Sequence, residues 1–297
     1  MAAVVIFKAR WFWYSVLCLL CFAAYLFVSK LGLKHGVPDP TMFYLFIWGS
    51  LPIALALLTL RGLQLEKSLK GISCGITVGI LGGAGQLAML NALAVPGGNT
   101  SVISAITGLY PMVTVVLAVL LLRERLTGVQ TAGLLLAGAA IVIFARDPSA
   151  PFSMSLTSAL QVPEWFRPAT VVLGSWGAVG IFQKLATNYI SAGSTMIWQT
   201  LGFFLFLPLV YPSQSLSAFV TLGLVYGLLG GALTNLGSWF LFAALKSGGK
   251  VSIVAPFTAL YPLVVVFLAP LILKESITLM QGAGVLCALV AIVLLST

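Results

Sequence analysis

The sequence predicts an all-α integral membrane protein of ten transmembrane helices, arranged as two inverted five-helix repeats. Three observations carry that expectation. Hydrophobic residues make up 60% of the chain and charged residues 7%, whereas a soluble domain uses about a quarter of its residues as charges to cover its surface. The apolar runs are long and continuous, as spanning helices require, not short and alternating as in a barrel. And the chain repeats itself: displaced by 151 residues, GGNTSVISAITGLYPMV (97–113) falls on GGKVSIVAPFTALYPLV (248–264).

With about 20 apolar residues per helix, the spans fall near 12–33, 42–60, 72–94, 99–122, 128–145, 168–190, 195–211, 218–244, 251–273 and 278–296. The basic start (Lys8, Arg10) precedes an apolar run too long for a cleaved leader and lacking a small-residue cleavage site, so the first span is expected to be retained. Residues 146–167, RDPSAPFSMSLTSALQVPEWFR, read as a linker on the outer face, with Trp165 and Phe166 lying in the membrane interface. The linker separates a first repeat, 1–145, from a second, 168–297.

The net charge of +9 is informative through its distribution. With a cytoplasmic N-terminus, Lys8, Arg10, Arg61, Lys67, Lys70, Arg123, Arg125, Lys246 and Lys250 fall inside, against Lys34, Arg146, Arg167 and Lys274 outside. This obeys the positive-inside rule and places both termini in the cytoplasm. Five spans per half is an odd number, so the second half enters the membrane with opposite orientation. The loop charges are reset to match: Arg61, Lys67 and Lys70 follow the second span, while the equivalent PSQSLS (212–217) carries none.

Several residues stand out against this background. Pro111 and Pro262 sit a little over two turns into their helices, where proline removes a backbone hydrogen bond and kinks the axis. Recurring as Leu-Tyr-Pro in symmetric places, they read as hinges or cavity walls, with Tyr110 and Tyr261 offering a ring and a hydroxyl to a solute. The plain alternative is a tolerated packing kink. Lys30 and Lys184 occupy matching places late in the first span of each half, and two readings stand side by side: a functional intramembrane cation, or a lysine snorkelling to the headgroups.

Gln86 and Asn91 in the third span, Trp176 and Gln183 in the sixth, and Asn235 and Trp239 in the eighth are candidate solute contacts, or, for the amides, interhelical links. Arg123, Glu124 and Arg125, like Lys274 and Glu275, read as helix-end anchors offsetting the macrodipole, with Glu124 and Glu275 also placed to pair with the next helix start. Gly75, Gly79 and Gly83, and Gly223, Gly227 and Gly231, recur every four residues and read as close-packing faces. Cys18 and Cys21 have metal-like spacing but no second pair or histidine beside them, and read as small core residues.

The two copies resemble EamA repeats, the five-span units of drug/metabolite transporters. The likeness is most specific in LRERLTGVQTAGLLLAGAAIVI and LKESITLMQGAGVLCALVAIVL, where an aliphatic helix ends in Arg-Glu or Lys-Glu before a Gly-rich one. It implies an exporter or exchanger of small metabolites working by alternating access, in contact with membrane lipid, as a monomer or homodimer, with a proton or a counter-substrate left open as the coupling species. No carboxylate lies mid-span, which argues against a lipophilic cation and towards an amino-acid-like zwitterion or another neutral or anionic solute. A passive channel or lipid facilitator would share the hydropathy without needing inverted halves. The lone His35 and the lack of a metal or nucleophile motif argue against an enzyme. No cofactor or nucleic-acid partner is expected. Short termini favour the bacterial inner membrane.

Overall fold

The computed structural model describes residues 10–60, 62, 64–122, 126–145, 162–212, 214–248, 254 and 257–295. The described residues form helices and loops without strands. In the first half these are α1 (Arg10–Lys34), α2 (Asp39–Leu60), α3 (Leu69–Ala94), α4 (Thr100–Thr107), α5 (Tyr110–Leu122) and α6 (Gly128–Phe144). In the second they are α7 (Phe166–Thr187), α8 (Ala192–Phe204), α9 (Leu207–Val210), α10 (Thr221–Lys246), α11 (Tyr261–Ile272) and α12 (Leu279–Leu295), with a 3-10 turn at Leu216–Ala218 before α10. Six helical stretches have the length and hydropathy to cross a membrane; Gly128–Phe144, Phe257–Ile272 and Leu279–Leu295 are apolar but shorter. At 1.5 Å per residue, 17 residues reach about 25 Å, slightly less than the hydrocarbon thickness.

The repeated T-x-x-Q that follows each charge cluster has a local cause. Thr127 accepts from the Gln130 backbone and the Gln130 side chain accepts from the Thr127 N–H, a reciprocal capping box that starts α6. Thr278 and Gln281 repeat both bonds at the start of α12.

The two Leu-Tyr-Pro segments do not kink a continuous helix; they break it. α4 ends at Thr107 and α5 restarts at Tyr110, so Pro111 lies in the first turn of a new helix, where its missing N–H costs nothing. The junction tightens into three-residue steps, Leu109 N–H to Ile106 O (3.1 Å) and Met112 N–H to Leu109 O (2.8 Å). The second half repeats this with Leu260 to Phe257 (3.3 Å) and Leu263 to Leu260 (2.9 Å), and α11 begins at Tyr261 with Pro262. The seventh expected span is also broken, between α8 and α9.

Glycines set the packing, and each half builds its seams on the other. α1 runs antiparallel to α10, with Gly237 against Phe22 and Cys21 and Gly230 beside Tyr25 and Ser29. α3 runs antiparallel to α7, with Gly85 against Trp176 and Gly82 beside Val179. α2 lies parallel to α10, so close that a methyl group at Gly49 would stand 1.9 Å from the Leu228 carbonyl oxygen. α3 lies parallel to α8 in the same way, with Gly79 on the Gln199 carbonyl. Small residues permit this approach where lipid supplies no hydrophobic drive between helices.

Leu26, Phe43, Met89, Ile103 and Ile106 form the buried interior, while Leu120, Leu135, Phe267 and Leu271 point outward. Of the linker, 146–161 lies outside the described residues. Trp165 is buried and meets Phe166 edge to face (5.9 Å between ring centroids), so its ring packs against protein. Arg123, Glu124, Arg125 and Lys250 also lie outside the described residues.

Candidate functional site

The middle of the molecule brings together polar side chains from both halves. On α1, the buried Tyr25 hydroxyl accepts a hydrogen bond from the Gln86 side chain of α3, with the Ser29 hydroxyl beside it. The Tyr261 hydroxyl, at the start of α11, lies within electrostatic reach of those of Tyr25 and Tyr110 and faces the Thr107 hydroxyl. No hydrogen bond of good geometry satisfies it among the described residues, although Tyr261 is 6% exposed. Tyr110, at the start of α5, meets Trp176 of α7 edge to face (6.4 Å between centroids). The two helix breaks therefore aim a tyrosine each at one centre. Four of the expected contacts, Gln86, Tyr110, Trp176 and Tyr261, converge there with Pro111 and Pro262 alongside. Tyr25 was missed by sequence reasoning; its signal was a tyrosine deep in an apolar span, which needs a hydroxyl partner. The side chains of this centre are uncharged.

Lys30 lies elsewhere, towards the end where α3 passes into α4. It is 9% exposed, its ammonium held by protein groups. Its ammonium donates to the Leu93 carbonyl (2.6 Å) and the Gly98 carbonyl (2.9 Å), and stands 3.9 Å from the Glu275 carboxylate. Glu275 does not pair with the helix that follows it. It reaches into the first half and caps α4, accepting from the Thr100 N–H (2.6 Å) and the Thr100 hydroxyl (3.1 Å). That placement suits a carboxylate, since the first N–H groups of a helix lack partners and carry partial positive charge. Asn99 completes the cap, accepting from the Ser101 and Val102 N–H groups and donating to the Ser276 carbonyl (2.9 Å). Lys34 donates to the Leu273 carbonyl at the end of α11 (2.8 Å). The next residue, Lys274, has φ 57°, a left-handed conformation that costs a non-glycine residue about 1–3 kcal/mol.

The remaining candidates disperse. Asn91 donates to Asp39 (3.2 Å) on the wall of a cleft of about 430 Å³, lined mainly by Leu87, Pro168, Val171 and Phe206. Asn235 is buried and donates to the Ser50 carbonyl (2.8 Å) and the Thr200 hydroxyl (3.2 Å), tying α10 to α2 and α8. Its side-chain oxygen has no hydrogen-bond partner among the described residues. Trp239 lies one turn further along the same face of α10, half-buried. Gln183 and Lys184 sit late in α7, Gln183 half-buried and Lys184 exposed. Near Lys184, at the end opposite Lys30, Glu66 accepts from the Ser191 N–H (2.9 Å) and hydroxyl (2.8 Å) at the start of α8, and the Lys70 ammonium lies over the Tyr189 ring (5.7 Å).

Fold and site together define a polytopic helical membrane protein whose two related halves meet around a buried polar centre. A model of the EamA-like transporter family matches residues 9–146 and 169–297, and the chain belongs to that family. An uncharacterized protein of Methanocaldococcus jannaschii is 40% identical over 73 residues, 25% of this chain and 53% of that protein. The chain thus spans about half the length of the curated relative it matches. A protein of known crystal structure superposes with a TM-score of 0.59 at 17% identity, over 94% of this chain and 95% of its own, which is a likeness of fold.

Proposed function

We propose that the chain is a secondary carrier that exports or exchanges a small polar metabolite by alternating access. Ten spans form two inverted repeats in a bacterial inner membrane, with both termini in the cytoplasm. The observation that carries this reading is the exchange of helix partners. α1 packs on α10 as α3 packs on α7, and α2 on α10 as α3 on α8, the relation expected of two halves related by an axis in the membrane plane. Both helix breaks then meet at that axis, and Tyr25, Gln86, Tyr110, Trp176 and Tyr261 form the substrate site. An uncharged, aromatic, hydroxyl-bearing site suits a net-neutral solute such as an amino-acid-like zwitterion. Of the remaining candidates, Asn235 and Trp239 bound the site on the α10 side, Asn91 and Lys30 lie towards the outer end, and Lys184 lies at the cytoplasmic end.

Counterflow into proteoliposomes with pools of labelled amino acids, nucleosides and sugar phosphates tests the reading. Saturable, trans-stimulated uptake of a zwitterionic pool is expected. Tyr110→Phe and Tyr261→Phe should each raise KM about tenfold, the worth of one buried hydrogen bond. Flux that neither saturates nor responds to internal substrate would replace the carrier with a channel or facilitator.

A further inference from the structure

The Lys30 network does more than anchor a helix end. The ammonium has three N–H donors, and all three face acceptors from different segments: Leu93 at the end of α3, Gly98 in the α3–α4 loop, and Glu275 between α11 and α12. The Glu275 carboxylate is likewise engaged by Lys30, the Thr100 N–H and the Thr100 hydroxyl. Lys30, Leu93, Gly98 and Thr100 belong to the first half and Glu275 to the second, so parting the halves here takes from Glu275 its ammonium and both Thr100 bonds, and leaves Lys30 with its two carbonyls but no counter-ion. Such a buried, satisfied pair is held firmly once formed, because an uncompensated charge is costly in low dielectric. The backbone of Lys274, held in the left-handed region at φ 57°, presents Glu275 to the cap.

The sequence makes the arrangement one-sided. On the register that superposes the halves, Glu275 corresponds to Glu124, but Asn99 and Thr100 correspond to Lys250 and Val251. The first half carries the matching carboxylate, Glu124, while the second half has Lys250 and Val251 in place of the two side chains that cap α4. Lys184, the counterpart of Lys30, is exposed.

We infer that Lys30, Glu275 and the N-terminus of α4 form the outer gate of the carrier, a charged latch that closes this end in the present conformation and separates whenever the site opens outward. The inference rests on the alternating-access reading above. It assigns Lys30 to gating and not to the substrate, since two of its three donors are bonded to backbone carbonyls and its counter-ion, Glu275, stands 3.9 Å away.

The test places a cysteine at Thr107, buried at the centre beside Tyr261, and labels it with a membrane-impermeant thiol reagent from either face of oriented vesicles. Mass spectrometry distinguishes this thiol from the four native cysteines. Lys30→Met and Glu275→Gln should raise labelling from the Lys30 face about tenfold or more and lower it from the other, as a shifted two-state population requires. Thr100→Val, which removes one hydroxyl and keeps the shape, should shift it less in the same direction and covers the case in which the charge variants do not fold. Labelling that is unchanged, or that rises equally from both faces, in a monodisperse variant would overturn the gate. Loss of trans-stimulated exchange in the unsubstituted protein would instead overturn the carrier reading, so the two failures are distinct.

Discussion

The two ends of the molecule use the same device at different depths. At one, a carboxylate from the second half, Glu275, caps a helix of the first; at the other, a carboxylate from the first half, Glu66, caps α8 of the second. Glu275 sits beneath the surface, its side chain 13% exposed, with Lys30 against it. Glu66 is exposed, as are Lys67 and Lys70 nearby. Burial changes the worth of the contact. Water competes for the Glu66 bonds and screens its charge, so parting the halves there exchanges protein partners for solvent ones. Lys30 and Glu275 are shielded from solvent, and parting the halves separates the ion pair and takes from Glu275 its Thr100 bonds. The contact at the Lys30 end is shielded from solvent, and that at the Glu66 end is open to it.

The contrast can be broken at several strengths. Lys30→Met leaves Glu275 buried without its cation and should lower stability by about 3–5 kcal/mol, read as an earlier thermal unfolding transition in detergent. Thr100→Val removes one hydrogen bond to a partly buried carboxylate and should lower it by about 1–2 kcal/mol. Lys274→Gly should act in the other direction, raising stability by about 1 kcal/mol, because glycine adopts the left-handed conformation without a Cβ penalty. Glu66→Gln should cost less than about 1 kcal/mol, since Ser191 caps α8 and its N–H turns to water. If Glu66→Gln cost as much as Lys30→Met, burial would not be what separates the two ends.

Much of this was legible in the sequence because it is written locally. Hydropathy marks the helices, the 151-residue repeat marks the halves, and the T-x-x-Q after each charge cluster is itself a capping box. The Leu-Tyr-Pro pairs located the two discontinuities. That they are breaks, with proline opening a new helix, depends on the helix stopping at Thr107 and Phe257–Ala259, which apolar runs do not signal. The lysines were the hardest to read. Lys30 and Lys184 hold matching positions in matching spans, and nothing local separates them. What decides the fate of Lys30 is the approach of Leu93, Gly98 and Glu275, partners 63 residues or more away in sequence. Sequence also placed Glu275 at a helix end, correctly as to its preference for an N-terminus but for the wrong helix, since the one it caps belongs to the other half. Tyr25 was passed over because it has no repeated counterpart, the guide to Tyr110, Tyr261, Lys30 and Lys184, and the other site residues were picked out as amides or tryptophans within spans.

The alternating-access reading proposed above requires the two ends to be reciprocal: as one opens, the other must close. Paired spin labels at Pro96 and Leu279, flanking the Lys30 latch, and at Lys67 and Tyr189, at the opposite end, measure this directly in reconstituted protein. The account predicts a short dominant distance at the latch, and in Lys30→Met a longer latch distance gained together with a shorter one at Lys67–Tyr189. Distances at both ends that stay fixed, or that lengthen together, would contradict it.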